Sequence, residues 1–224
     1  MGYQNEHAMK TIFDIETAPL PEAAEFLVEP IEAPANYKDP AKIEAFIAAE
    51  KQKQLERCGL DLDLCQIVAI GWQREGAAVT ALTRQDCDED GLIETFWQEA
   101  TAGGDLRHLI GFNCLGFDLP VLLRRSQYLG LNAPAYQIDK FRHPQITDLA
   151  QVLSFNGAVR MRSLAFYAKR FGVEVSDSIT GANVAQKVAE GDWGAIRTHV
   201  SADVAKTAAL AAKLGYFHLD AVAA

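Results

Sequence analysis

Two acidic residues stand two positions apart inside an apolar run, Thr11-Ile12-Phe13-Asp14-Ile15-Glu16-Thr17. Side chains alternate across a strand, so Asp14 and Glu16 point to the same side of one. Two like charges held together cost stability unless a cation lies between them, and a divalent metal ion meets that need. A metal site on a strand is therefore the first chemical expectation. Farther along, His199 and Asp203 are four apart, on one face of any helix that contains them, and Asp118 precedes Leu119-Pro120. Each group also has a plainer reading. Asp14 and Glu16 suit the polar end of a strand, Asp118 suits a helix N-cap with Pro in the first turn, and His199 with Asp203 suits a solvated helical pair.

The elements that must position these residues follow from periodicity. Residues 10–17 read as a strand stopped by Ala18-Pro19-Leu20-Pro21, because proline cannot continue the ladder. A Pro-, Glu- and Ala-rich connection leads to about Pro40. Ile43, Phe46 and Ile47 then mark an amphipathic helix towards Arg57. Cys65–Trp72 and Ala77–Thr83 read as strands about an Arg74-Glu75-Gly76 turn. A helix over 88–100, closed by Gly103-Gly104, precedes a strand over 106–112, a helix over 119–129 and a short strand over 146–149. Helices over 163–171, 181–190 and about 193–214 complete the chain. The expected class is α/β, a mixed five-stranded sheet flanked by helices, with a helical insertion over 20–64 after the first strand and one domain over 10–216.

Composition narrows the setting. The 224 residues are 49% hydrophobic and 23% charged, enough for a full core. No apolar run reaches about 18 residues and Met1 to Ala8 lacks the apolar centre of a signal peptide, so a soluble cytoplasmic protein with no membrane partner is expected. Cys58, Cys65, Cys87 and Cys114 show no paired metal-ligand spacing, which suits reduced core thiols. The net charge of -9 argues against an unspecific grip on long duplexes, since such affinity comes from Lys and Arg at phosphates. It leaves room for an enzyme that meets a strand end through bound cations.

The element order is that of the ribonuclease-H-like fold, and three motifs carry a closer resemblance. Phe13-Asp14-Ile15-Glu16-Thr17, Gly111-Phe112-Asn113-Cys114-Leu115-Gly116-Phe117-Asp118 and His199-Val200-Ser201-Ala202-Asp203 resemble, in order, the three motifs of the DEDD superfamily of 3′-5′ exonucleases. The resemblance runs from about residue 10 to 214. It is nearest to stand-alone relatives of the proofreading domain of B-family DNA polymerases. It implies that Asp14, Glu16, Asp118 and Asp203 hold two Mg²⁺ or Mn²⁺ ions, which flank one phosphorus about 3.5–4 Å apart in two-metal sites. The third motif departs from both standard forms. A His stands four residues before the last Asp, where the tyrosine subclass has Tyr, and Thr198 occupies the slot of the histidine subclass. An imidazole there lies one turn from Asp203 and could take a proton from the attacking water.

The implied activity is removal of 5′-mononucleotides from the 3′ end of single-stranded DNA or RNA, with His199 joining the four acids as a catalytic residue. Very short oligonucleotides are a narrower substrate class. Thr17, Asn113 and Phe117 are the expected substrate contacts, set against a turn Asn and a core Phe. Asp148 is the reserve carboxylate, better suited to a turn or cap. Arg124, Arg125, Arg160, Arg162, Lys169 and Arg170 offer phosphate contacts, with a solvated charged face as the alternative. His7, His108, His143 and His218 are assigned nothing. The unusual His register and the acidic net charge also suit a catalytically inactive module that binds nucleic acid or a protein partner. DNA against RNA, oligomeric state and the role of the insertion stay open.

Overall fold

The computed structural model describes residues 9–27, 30–139 and 142–219. Five strands form one sheet: β1 (Lys10–Pro19), β2 (Cys65–Arg74), β3 (Thr80–Thr83), β4 (His108–Gly111) and β5 (Ile146–Asp148), in the order β3-β2-β1-β4-β5. β1, β2 and β3 pair antiparallel, and β4 and β5 continue parallel to β1. The helices are α1 (Ala23–Phe26), α2 (Pro40–Cys58), α3 (Glu89–Ala100), α4 (Asp118–Leu129), α5 (Leu149–Leu153), α6 (Leu164–Arg170), α7 (Val184–Glu190) and α8 (Trp193–Lys213).

Alternation along β1 divides the core. Phe13 and Ile15 join Ile70, Leu92, Phe96 and Leu122 under α3 and α4, while Ile12 joins Ile110, Val204, Ala208 and Leu210 under α8. Asp14 and Glu16 share the parity of Ile12 and so face α8. Two local features bring strand and helix into register. The pairing slips between Glu16 and Thr17, a bulge that re-aims the end of an acidic strand. Gly71 on β2 lets α8 lie close: a Cβ there would meet Val204 Cγ2 at 2.9 Å and Val200 Cγ2 at 3.0 Å.

β1 extends two residues past the expected stop, because Pro19 is its last residue and needs no further ladder bond. The expected 181–190 helix is a 3-10 turn, Gly181–Asn183, leading into α7. Periodicity does not mark α1 or α5, because four and five residues are too few to show it. The helix predicted after residue 40 is present as α2, with Asp39 capping Ala41 N at 3.0 Å and Pro40 in the first turn.

Candidate metal and catalytic site

β4 ends at Gly111, so beyond Ile12 that side of β1 has no strand partner among the described residues. The amide of Ile15 donates instead to Asp118 Oδ1, at 3.2 Å. This is where Asp118 differs from the capping reading: it is the first residue of α4, Phe117 occupies the cap position, and no side chain caps the helix. The carboxylate is turned towards β1, beside Asp14 and Glu16. The acids of β1 thus sit past the carboxyl ends of β4 and β5, the two strands that run parallel to it, and open α/β sheets bind ligands at such ends.

α8 supplies the opposite wall. His199 is 4% exposed, and its Nε2 lies 3.4 Å from Glu16 Oε1. Its Nδ1 lies 3.0 Å from Asp177 Oδ2. Asp177 is held below the usual carboxylate range: burial pushes the other way, but hydrogen bonding from Lys206 and the nearby His199 outweigh it. An ionised carboxylate only accepts, so Nδ1–H donates to Asp177 and Nε2 faces Glu16. Lys206 Nζ bridges Asp177 at 2.6 Å and Asp203 at 2.7 Å. One atom each from Glu16, His199 and Asp203 lie within 4.8 Å of one another. The surface-pair reading of His199 with Asp203 therefore fails, since the imidazole is buried and bonded elsewhere.

The charge balance shows what the group lacks. Burial, then Asp118, Glu16 and Asp203, raise Asp14 well above its ordinary value, against the pull of Lys206. Glu16 is raised likewise by burial, then Asp203, Asp118 and Asp177. Asp118 is pushed up to about 7 by burial, with Asp148 and Asp203 adding to the rise although backbone amides hold it down. One lysine cannot balance this many oxygens. Hard divalent cations such as Mg²⁺ or Mn²⁺ fit such a set of carboxylate oxygens.

The remaining sequence candidates separate. Thr17 Oγ1 donates to Gly59 O at 2.5 Å, which ties this expected substrate contact to the end of α2. Phe117 is half-buried and packs on the core under α4. Asn113 adopts a left-handed φ of 60° and borders a cleft. Asp148 takes the capping role: it accepts from Ala150 N at 2.9 Å and holds Asn113 N and Leu115 N at 2.9 and 3.0 Å. It is thereby the brace of the loop that delivers Asp118. Arg125 is buried in a two-bond pair with Glu89, each bond 2.8 Å, and Arg124 pairs with Asp63, so neither is a free phosphate contact. Cys58, Cys65 and Cys114 are buried free thiols, as expected, and Cys87 is half-buried. His7 lies outside the described residues. Asp177 was missed; only its distance from His199 in space identifies it, because 22 residues separate them.

Comparison with known proteins agrees with this architecture. A family described as "Predicted 3'-5' exonuclease related to the exonuclease domain of PolB" matches residues 60–219, a span holding Asp118, His199 and Asp203 and beginning after β1. No curated protein matches the chain. The family B DNA polymerase from the hyperthermophilic archaeon Pyrobaculum calidifontis superposes with a TM-score of 0.61 at 19% identity, over 92% of this chain and 24% of that chain. The fold is thus shared, a ribonuclease-H-like sheet, and the chain spans about a quarter of that polymerase's length. No helix among the described residues is long and apolar enough to cross a membrane.

Proposed function

Because the chain belongs to the family of predicted 3′-5′ exonucleases related to the exonuclease domain of PolB, we propose that it hydrolyses the terminal phosphodiester at the 3′ end of single-stranded DNA or RNA, releasing 5′-mononucleotides. Asp14, Glu16, Asp118 and Asp203 would hold two divalent ions, Mg²⁺ or Mn²⁺. Such ions supply positive charge at the phosphate oxygens and acidify water. The observation that carries the reading is the convergence of acids from β1, α4 and α8, Glu16 and Asp118 buried and Asp14 and Asp203 half-buried, on one spot without enough positive charge.

The chain's own part is proton handling and positioning. Asp177 accepts the Nδ1–H of His199, so that in the neutral imidazole Nε2 is the acceptor, directed at the Glu16 and Asp203 side. From there it receives the proton of the attacking water. Asp148 and the Ile15 amide keep Asp118 at the strand end. Asn113, five residues before Asp118 and on the wall of a neighbouring cleft, would meet the terminal nucleotide. The 20–64 segment belongs to the same domain in this reading and is joined to the site edge by the Thr17 to Gly59 bond. Its cellular setting is the cytoplasm.

One observation favours a second reading. Lys206 already pairs with Asp203, as a resident cation would in a module that binds strands without cutting them. Degradation of 5′-labelled single-stranded DNA and RNA with Mn²⁺, Mg²⁺ or EDTA, in wild type and Asp14→Ala, separates the two. Metal-dependent shortening from the 3′ end, lost in the variant, is the expected result. Binding without cleavage in either metal would overturn the exonuclease reading in favour of the module.

A further inference from the structure

Between α5 and α6 lies a segment that neither the core nor the acidic site explains. From residue 149 to 173 the chain has no Asp or Glu, yet it carries Arg160, Arg162, Lys169 and Arg170 in a protein of net charge -9. All four are exposed, and none has an ion-pair partner among the described residues. Among them stand uncovered apolar side chains: Phe155 is 71% exposed, Val159 51%, Met161 45% and Phe166 44%. The Arg162 guanidinium lies over the Phe166 ring, 5.4 Å from its centre.

The backbone holds this surface at a cost. Phe155, Asn156 and Gly157 are successively left-handed, with φ of 52°, 57° and 84°. Two of the three are not glycine, so the conformation is strained. It is closed by its own bonds, Asn156 N to Gln151 O at 2.8 Å, Val159 N to Ser154 O at 3.0 Å and Gly157 N to Ser154 Oγ at 3.2 Å. The result is a stiff loop that turns a phenylalanine outward.

Position ties the segment to the site. A cleft of about 410 Å³ runs between Asn113 on one wall and Asn156, Arg160 and Met161 on the other. Gln151 borders the same cleft and has a buried Oε1 without a hydrogen-bond donor among the described residues. Asp148 braces both the start of α5 and the loop leading to Asp118. On the far side α6 packs on α8, with Tyr167 6.0 Å from Phe112.

Unpaired cations interleaved with exposed aromatic and apolar surface are what a single nucleic-acid strand requires, phosphates on the former and base faces on the latter. A second copy of this positive surface would be repelled. We propose that residues 155–166 are the strand-binding surface, holding nucleotides upstream of the 3′ end, with a base on Phe155 and phosphates at Arg160 and Arg162. This rests on the exonuclease reading for its polarity, but the binding itself does not need cleavage.

The test is fluorescence anisotropy of labelled single-stranded 3-mers and 12-mers with EDTA present, comparing wild type with a Phe155→Ala/Arg160→Ala/Arg162→Ala variant. The three side chains are exposed, and an unchanged melting temperature establishes that the variant is folded. Expected are at least a tenfold loss of 12-mer affinity, little remaining preference for 12-mer over 3-mer, and a salt slope shallower by about 1.4 for two lost phosphate contacts. Equal 12-mer affinity and equal salt slope in the two proteins would overturn the surface, as would a wild type that binds no 12-mer. Tighter binding to vesicles of anionic lipid than to the 12-mer, lost in the same variant, would overturn it in favour of a lipid surface. Strand binding through these residues by a wild type that cuts nothing would leave the surface standing and the exonuclease reading overturned.

Discussion

Asp14, Glu16 and Asp118 each hold their protons more tightly in the folded chain than free carboxyls do, for want of balancing charge. The sign of the pH effect follows. A carboxyl whose folded pKa is raised imposes no penalty below its unfolded value near 4, and a full one above its folded value, which for Asp118 is about 7. The metal-free protein should therefore melt at a higher temperature at pH 5 than at pH 8. Asp177, whose value is lowered, loses its contribution only below about 4 and does not reverse this trend. Asp14→Asn should raise the metal-free melting temperature at pH 8 and flatten the profile; calorimetry of the two proteins across pH in EDTA checks it. In the proposed reaction Asp177 would act as a positioning residue for His199, through its bond to Nδ1. Asp177→Asn would offer Nδ1 a donor as readily as an acceptor, and activity should fall roughly 10–100-fold. The telling readout is the pH–rate profile, which should shift; a change in amount of folded protein alone would leave its shape untouched.

At the scale of elements, the site exists because β1, α4 and α8 are brought to set distances by residues outside it. Gly71→Ala would press a methyl into Val200 and Val204 and lift α8 from β2. Overpacking of this kind costs about 1–3 kcal/mol. Turnover should fall more than stability implies, because His199 and Asp203 ride on the displaced helix; paired denaturation and nuclease assays measure both. The other face depends on Glu89, which accepts from Ile67 N at 2.8 Å and pairs with Arg125, so that α3, α4 and β2 meet at one carboxylate. Glu89→Ala leaves a buried guanidinium unpaired and should cost about 3–5 kcal/mol in urea denaturation.

For the molecule as a whole, the proposed ligand set makes metal binding part of folding stability. A divalent ion at 100 times its dissociation constant adds about 2.7 kcal/mol if it binds only the folded chain. Mn²⁺ should raise the melting temperature of wild type, EDTA should reverse the rise, and Asp14→Ala should lose most of it; an unmoved transition in wild type would count against the ligand set. Charge is also unevenly spread. The overall -9 sits with a positive 149–173 segment beside an acidic centre, so the global sum says little about which face meets a polyanion.

Much of this was readable along the chain because its signals are local. Alternation put Asp14 and Glu16 on one face of β1, and apolar spacing marked α3, α4 and α8 to within a residue or two. Cap and turn residues bounded them. What depended on tertiary structure were contacts between residues far apart in sequence, for which no spacing exists: Ile15 N with Asp118 across 103 positions, and His199 with Asp177 across 22. The same reason decides between readings that the sequence held side by side. At Asp118 a metal-site reading stood beside a cap reading until β4, ending at Gly111, left the Ile15 amide to donate to its carboxylate, and the hydroxyl of Thr17, an expected substrate contact, donates to Gly59 O where the chain returns from α2. Residue type and order determined which side chains are candidates for chemistry and on which elements they sit; which oxygen faces which nitrogen was decided only when the sheet and α8 closed on each other.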